Sequence, residues 1–355
     1  MPQDENQSAS HGVRYVPYVE SVRAAADGCQ VAETARYFRA FLPGLAGTAG
    51  GTAVRASGEW GWQGLQKGAQ SQISLRDSIR YLRRQLLVCT PLNVLNASVP
   101  TNRIAITRNI VYGQHKRKRL DVYRPSDIPG PLPVVVFFYG GKWTFGHRED
   151  YLFAGQGLAS MGYVVVVPDY RLFPEVRFPN FMHDAAAVVS WAAAHIHGYR
   201  GDPDRMLVMG HSAGAFMAAK LAFNLEYLDQ RGYDARKLRG FVGLSGPYDF
   251  LPMLRKDAEL EAIFSRFLDS ELSQPITFAH AEAPPTLLVT GEDDPIVWPV
   301  NSENLHARLT ELGVRTEYRT YPNISHAGTV LALAHMFRWR AGIAEDVNRF
   351  IDSVT

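Results

Sequence analysis

The sequence predicts an α/β fold in which helices cover both faces of a mostly parallel central sheet. From residue 103 to the C-terminus, short apolar runs alternate with longer segments of helical periodicity, as in chains that build parallel sheets. The run Leu132–Tyr139 is apolar throughout, which is typical of a strand buried on both faces. Of the 355 residues, 46% are hydrophobic and 20% are charged, which is sufficient for one large core with additions.

The elements follow one another in a regular order. Apolar and strand-like runs predict strands at 104–112, 118–123, 132–139, 162–167, 206–209, 240–244, 286–290 and 315–321. Helical spacing predicts helices at 151–161, 181–197, 215–225, 302–312 and 343–353. The first two strands form a hairpin with the basic run His115–Arg119 on its turn, and this position favours a solvated turn over a nucleic-acid signal.

The first hundred residues differ from the rest of the chain. They contain one clear helical pattern, at 74–88, but too little apolar periodicity for a core of their own. We therefore predict that residues 1–100 form an N-terminal helical or irregular cap on a main domain at 101–355. A second cap-like segment, rich in apolar residues, is predicted as an insertion at 249–283.

Charge, cysteines and motifs restrict the classes of function. The formal net charge of +2 argues neither for nor against a polyanionic partner, and Cys29 and Cys89 lack metal-ligand spacing. No signal peptide is visible in the first thirty residues and no run approaches a membrane span, so a cytoplasmic location is expected. We expect no metal, no nucleotide cofactor and no nucleic-acid partner, because neither a zinc motif nor a phosphate-binding glycine loop is present; a homodimer stays open.

The motif Gly210-His211-Ser212-Ala213-Gly214 follows a buried run and precedes a helical segment. Strand, sharp turn and helix is the context in which G-x-S-x-G presents its serine as a nucleophile. The glycines allow a tight turn and keep bulk away from the hydroxyl. Ser212 is therefore the candidate nucleophile.

A serine hydroxyl needs a base, and the base needs an orienting acid. In a parallel sheet both belong on loops at the carboxyl ends of strands. The acids on such loops are Asp249, Glu292, Asp293 and Asp294. We favour Asp294, with Asp293 as the second choice, because Asp294 stands three residues past Gly291 and Pro295 fixes the chain behind it.

His326 is the histidine on a strand-to-helix loop near the end of the sheet, so it is the candidate base. The other histidines that we weighed lie in or beside predicted helices: His183, His195, His197 and His335. His211 adjoins the serine, but its side chain is expected to point elsewhere because successive residues of the turn diverge.

Acyl chemistry also needs N–H donors for the oxyanion of the transition state. The backbone N–H of Ala213 is one candidate, and those of Gly140 and Gly141, after the strand 132–139, are the others. The candidate walls of a substrate pocket are Tyr139, Lys142, Trp143, Tyr248, Val297 and Trp298. Lys142 raises the hypothesis of a negatively charged substrate, and the alternative is a solvated surface lysine.

From residue 110 onward the sequence resembles the esterase/lipase branch of the α/β-hydrolase superfamily, which includes the hormone-sensitive-lipase-like carboxylesterases. The motifs that carry the resemblance are LDVYRP (120–125), YGGKW (139–143), VPDYRLFPE (167–175), DPDR (202–205), GHSAGA (210–215), SGPYDF (245–250) and GEDDP (291–295), with the loop of His326. Prenylcysteine methylesterases and kynurenine formamidases are similar in the same motifs. One departure is Tyr139, which stands where the family motif usually has a histidine.

The resemblance implies an α/β-hydrolase fold and a cofactor-independent serine esterase with a preference for short or medium acyl chains. The chain order serine, acid, histidine agrees with that family. The same residues would serve an amide or formamide hydrolase with a different leaving group. A non-catalytic protein that binds a small molecule on the same scaffold is a third interpretation.

Overall fold

One sheet of eight strands organises the part of the chain that the structure describes. The computed structural model describes residues 95–97, 99–100, 102–251, 257–267 and 270–355. The strands are β1 (Ile104–Val111), β2 (Arg119–Pro125), β3 (Leu132–Phe138), β4 (Val164–Pro168), β5 (Gly201–His211), β6 (Phe241–Leu244), β7 (Thr286–Gly291) and β8 (Thr316–Tyr321). Across the sheet they lie in the order β1-β2-β4-β3-β5-β6-β7-β8.

The pairing within the sheet is mostly parallel. From β4 onward across the sheet, every neighbouring pair of strands is parallel. β1 and β2 form the predicted antiparallel hairpin, and β2 also pairs antiparallel with β4. The predicted α/β class with a mostly parallel sheet is therefore confirmed.

Helices connect the strands. They are α1 (Leu152–Ala159), α2 (Asn180–His195), α3 (Ala213–Phe223), α4 (Glu226–Asp229), α5 (Ala258–Phe264), α6 (Val300–Glu311), α7 (His326–Leu331) and α8 (Ile343–Val354). Short 3-10 helices lie at Arg148–Tyr151, Ile196–Tyr199, Ala235–Lys237, Ser265–Phe267, Glu271–Ser273, Pro275–Phe278 and His335–Arg340. In the described ranges, no helix combines the length and the apolar character that a bilayer crossing requires.

β5 is longer than its predicted core at 206–209. The prediction covered the apolar half of the strand, because the first half carries charged residues and Pro203, which are rare in strands. Regular pairing with β3 begins only at Met206, opposite Val134, after a shift of register. The apolar half is thus the part that the neighbouring strands enclose.

The register of the sheet brings four loops to one edge. Every residue of β4 is buried, as are all but one of β3, so the centre of the sheet is a rigid apolar layer. Phe138 pairs with Gly210 at the end of β3, and Gly291 pairs with Tyr321 at the end of β7. The loops after β3, β5, β7 and β8 therefore leave the sheet at its carboxyl edge.

The two predicted cap segments are described only in part. Residues 1–100 lie almost wholly outside the described residues, so the N-terminal cap stays a prediction. In the insertion predicted at 249–283, the described residues form α5 and three short 3-10 helices. Residues 252–256, 268 and 269 of that insertion lie outside the described residues.

The basic run on the β1–β2 turn differs from its prediction as a solvated segment. The side chains of Arg117 and Lys118 are only 20% and 19% exposed. Nζ of Lys118 lies 3.0 Å from Oδ1 of the buried Asp184. The turn therefore directs two of its cations inward, where buried carboxylates compensate for the lost hydration.

A buried lysine joins α3 to the insertion at 249–283. Lys220 is fully buried, and its Nζ donates to the carbonyl oxygen of Leu272 at 2.9 Å and lies 3.5 Å from the ring centroid of Phe278. Burial lowers the pKa of the Lys220 ammonium to about 7, and the charge of Glu226 offsets only part of that effect. A cation over an aromatic ring partly replaces the missing carboxylate.

Replacing Lys220 by methionine is expected to remove part of the pH dependence of stability. Between pH 7 and the ordinary lysine value of 10.5, the unfolded chain binds more protons at Lys220 than the folded chain does. The free energy of unfolding of the natural protein should therefore rise with pH across this window, and Lys220→Met should flatten that rise by a few kcal/mol at most. Urea unfolding at pH 6, 8 and 9.5 measures both curves.

The exposed Lys237 provides the matched control, because Lys237→Met should leave the pH dependence of unfolding unchanged. Leu272 is 54% exposed, so its carbonyl group has access to water once the ammonium is gone. Parallel curves for the natural protein and Lys220→Met would contradict the depressed pKa.

Candidate active site

Ser212 lies at a sharp turn between β5 and α3. Its backbone has φ 54° and ψ −123°, in a left-handed region that residues other than glycine rarely adopt. A methyl group on Gly214 would lie 2.0 Å from the carbonyl oxygen of Phe138, so only glycine lets α3 begin directly against β3. Strained residues of this kind cluster at active sites. The strand–turn–helix context that the sequence predicts around Ser212 is present.

His326 and Asp294 form a buried pair on the loops after β8 and β7. Nδ1 of His326 is 2.8 Å from Oδ2 of Asp294. The other carboxylate oxygen accepts hydrogen bonds from the backbone N–H groups of Ile296 and Val297, both at 3.0 Å. Burial alone would raise the pKa of Asp294, but the His326 ring and the two backbone donors outweigh it and hold the pKa below its usual range. Asp293 is exposed to solvent.

His211 packs against His326. Its Nε2 is 3.0 Å from the carbonyl oxygen of His326, and the two ring centroids are 4.8 Å apart. Burial, and then the charge on His326, lower the pKa of His211 to about 3, so the ring is neutral near pH 7 and Nε2–H donates to the carbonyl. His211 is the last residue of β5 and its ring faces the loop of His326, so the expectation that it points away from the Ser212 hydroxyl stays a prediction.

The hydroxyl of Ser212 is largely buried and has no fixed partner. Ser212 is 9% exposed, and within the described ranges its hydroxyl makes no hydrogen bond. Hydrogen bonds between catalytic groups are often long in a ligand-free enzyme and shorten in the complex. The contact between the serine turn and the loop of His326 is made by His211, the residue that precedes Ser212.

The loop after β3 passes directly against the turn at Ser212. A methyl group on Gly140 would lie 3.0 Å from Cβ of Ser212, so a larger residue could not approach this closely. The next three residues, 141–143, all have positive φ, at 131°, 48° and 58°. The predicted donors Gly140 and Ala213 are thus neighbours of the serine, and Gly141 follows in the same curled loop.

The predicted pocket residues separate into two groups. Lys142 is exposed, and Val297 and Trp298 are half-buried, so these side chains reach the surface of the loops. Tyr139 and Tyr248 are fully buried, and their prediction as pocket walls is wrong. Two glycines of the β6 region leave space that the Tyr248 ring fills, and the Tyr139 ring points beneath its own loop.

Trp143 belongs to an aromatic cluster behind the loop. Its ring lies 5.1 Å from the rings of Phe216 and Phe264 and 5.8 Å from that of Phe181. The Phe178 ring contacts three members of this cluster. Edge-to-face packing of this kind fixes the ring orientation. Trp143 is almost fully buried, so its function as a pocket wall stays a prediction.

Comparisons with known proteins agree with this fold. Residues 120–309 match the family BD-FAE, which is more than half of the chain. The chain belongs to the BD-FAE family. The fold of this BD-FAE protein is similar to that of esterase B from Lactobacillus rhamnosis, with a TM-score of 0.62, 18% identity and coverage of 78% of this chain and 94% of the other. An esterase from Pseudomonas putida gives a TM-score of 0.60 at 23% identity, with 74% and 88% coverage.

Two sequence relatives extend the comparison. The BD-FAE chain is 29% identical over 245 residues to isoprenylcysteine alpha-carbonyl methylesterase ICME of Arabidopsis thaliana, which covers 64% of this chain and 57% of that protein. It is 30% identical over 279 residues to esterase LipQ of Mycobacterium tuberculosis, with 73% and 65% coverage. The chain thus spans less than two thirds of the length of either relative. The resemblance to the esterase/lipase branch of the α/β hydrolases is confirmed.

The BD-FAE site also contains residues that the sequence analysis did not select. His211 contacts His326, and Asp169 accepts a hydrogen bond from the Tyr139 hydroxyl. The spacing of motifs along the sequence does not mark either residue as part of a site. The only signal in the sequence was that His211 adjoins Ser212 and that Asp169 lies in the VPDYRLFPE motif.

No group of three or more histidine, cysteine or acidic residues that could hold a metal is found in the described part of the chain.

Proposed function

We propose that the protein is a serine hydrolase that cleaves carboxylic esters with Ser212 as nucleophile, His326 as general base and Asp294 as the orienting acid. The observation that carries the proposal is the 2.8 Å contact between His326 and Asp294. Ser212, at φ 54°, directly follows His211, whose ring packs against that of His326. A nucleophile, a base and an acid that orients the base are the parts that acyl transfer requires. Relatives named as esterases support an ester substrate.

The reaction follows from the arrangement. His326 takes the proton of the Ser212 hydroxyl as its oxygen attacks the ester carbonyl, and the N–H groups of Gly140, Gly141 and Ala213 stabilise the oxyanion. The C–O bond to the alcohol breaks, and the alcohol leaves with the proton from His326. Water then attacks the acyl-serine with His326 as base, which releases the acid and restores the hydroxyl.

The carboxylate of Asp294 has two functions in this cycle. It accepts Nδ1–H of His326, so the free Nε2 is the basic nitrogen, and it stabilises the imidazolium that forms during attack. The low pKa of Asp294 keeps the carboxylate ionised at neutral pH.

We expect the enzyme to prefer esters with short to medium acyl chains, because the aromatic cluster around Trp143 fills the space behind the loop that follows β3.

Two measurements test the proposed function. The purified protein should hydrolyse p-nitrophenyl esters from acetate to decanoate, with the highest rates below octanoate, and should act far more slowly on the matched p-nitroanilides and on formanilide. A fluorophosphonate should attach to the peptide that contains Ser212. Fast hydrolysis of formanilide with slow ester hydrolysis would favour the formamide alternative, and an unlabelled Ser212 would reject the mechanism.

A further inference from the structure

A single arginine holds both ends of the loop that follows β3. Arg117, on the β1–β2 turn, donates from Nη2 to Oη of Tyr139 and to the carbonyl oxygen of Gly146, both at 2.8 Å. Its Nε donates to the carbonyl oxygen of Tyr170 at 2.7 Å. Tyr139 is the first residue of the loop and Gly146 is near its end, so one planar guanidinium bridges the two.

The same loop is fixed from a second side. Oη of Tyr139 donates to Oδ1 of Asp169 at 2.9 Å, and Oη of Tyr170 donates to the carbonyl oxygen of Tyr139 at 2.9 Å. The rings of Tyr139 and Tyr170 stack with centroids 4.8 Å apart. The phenol at position 139 therefore serves as an anchor beneath the loop, with Arg117 and Asp169 as its two partners.

Charge balance alone does not account for Arg117. Its Nη2 is 3.7 Å from Oδ1 of Asp169, whereas the buried Arg148 donates to Oδ2 of that carboxylate at 2.5 Å and from its backbone N–H to Oδ1 at 2.7 Å. His147 adds a further contact at 3.1 Å. Because Asp169 has these partners already, the contacts specific to Arg117 are those with the loop and with the carbonyl of Tyr170.

We infer that Arg117 is a positioning residue for the oxyanion loop, defined as residues 139–146. The inference rests on the proposed function, in which the N–H groups of Gly140 and Gly141 bind the oxyanion. Donors must point at the position of the oxyanion, and a misplacement of about 1 Å can reduce the rate roughly 100-fold. Arg117 acts on the reaction through the loop and touches no reacting atom.

Lys118 provides a matched control for this assignment. It is the next residue on the same turn, is equally buried, and also forms an ion pair with a buried aspartate, Asp184, at 3.0 Å. Arg171 pairs with the same Asp184 at 2.7 Å. Lys118 contacts neither end of the oxyanion loop, so loss of its charge perturbs the turn without releasing the loop.

The experiment compares Arg117→Met with Lys118→Met in the full-length protein. For each we would measure kcat and KM with p-nitrophenyl acetate and the Ki of a short alkyl trifluoromethyl ketone. Such a ketone adds to a nucleophilic serine and forms a hemiketal oxyanion, so its Ki reports on the oxyanion donors. Arg117→Met should lower kcat by roughly 100-fold and raise Ki by a similar factor with KM little changed, whereas Lys118→Met should change neither by more than about threefold.

The outcomes separate the assignment from the proposed function. An inactive natural protein would overturn the proposed function, whereas an active one in which the two variants lose equal activity would overturn only the role of Arg117. A fall in kcat without a change in Ki would also overturn it. If Arg117→Met does not fold, Arg117→Lys decides, because one ammonium cannot reach all three acceptors: an intermediate loss supports the assignment and natural values of kcat and Ki reject it.

Discussion

Replacing Ser212 by alanine should lower kcat for p-nitrophenyl acetate by about a million-fold while leaving the melting temperature almost unchanged. The rate falls because no other group can form the acyl-enzyme. Stability should persist because the Ser212 hydroxyl makes no hydrogen bond within the described residues, so its removal leaves no buried partner unsatisfied. Alanine also occupies the backbone geometry at φ 54° about as readily as serine does.

Ser325→Ala is the control for this loss. Ser325 directly precedes His326, is half-buried, and caps no helix with its side chain, so the variant should keep nearly full activity. The hydrolysis rates of both variants should be measured together with their circular dichroism spectra, which show whether the variants are folded. More than about one per cent of natural activity in Ser212→Ala would show that another residue is the nucleophile.

Replacing Asp294 by asparagine is expected to reduce kcat by about four orders of magnitude. The carboxylate is surrounded by donors on both sides: Nδ1–H of His326 on one oxygen and two backbone N–H groups on the other. An asparagine that keeps its oxygen towards the backbone N–H groups must direct its NH₂ group at Nδ1 of His326. The ring then adopts the tautomer with the proton on Nε2 and can no longer accept the serine proton.

Asp293→Asn tests the choice between the two neighbouring acids. Asp293 is exposed on the same loop and differs from Asp294 by one position, so its variant should keep natural rates. The pH–rate profiles of both variants, recorded from pH 5 to 9, give the comparison. A large loss in Asp293→Asn together with a small loss in Asp294→Asn would reverse the assignment and would contradict the observed hydrogen bonds.

Sequence patterns predicted the eight strands and most of the longer helices, and they selected the three candidate catalytic residues, because these inferences use local sequence or order along the chain. The apolar run of β3 and the G-x-S-x-G turn are local, and the order of Ser212, Asp294 and His326 along the chain reflects the order of the loops. The polar first half of β5 was missed for the same reason. This segment pairs with β3 as a strand, although its polar composition is not typical of one.

The supports of the site could not be predicted in this way. Arg117 reaches Tyr139 across 22 residues and Tyr170 across 53, and His211 meets His326 across 115. Such contacts depend on the direction in which each side chain points from the backbone, which the sequence does not show. A basic run on a hairpin turn also has the composition of a solvated loop, so nothing in it indicates burial. The burial of Tyr139 is another case, because position in the motif does not reveal whether a ring points above or beneath its loop.

The inward-facing turn between β1 and β2 also bears on how this chain can be altered. Hairpin turns are the usual sites for inserted epitopes, fused domains and new termini, because their backbones carry few contacts. Here the turn lies at the edge of the sheet, but Arg117 and Lys118 are fastened to the interior. We expect an insertion beside Lys116 to leave the solubility of the protein unchanged but to lower its kcat. Residues 230–232 are the better place for a graft, because they are exposed and Arg231 meets α2 through surface hydrogen bonds with Ser190 and His183 rather than through a buried ion pair.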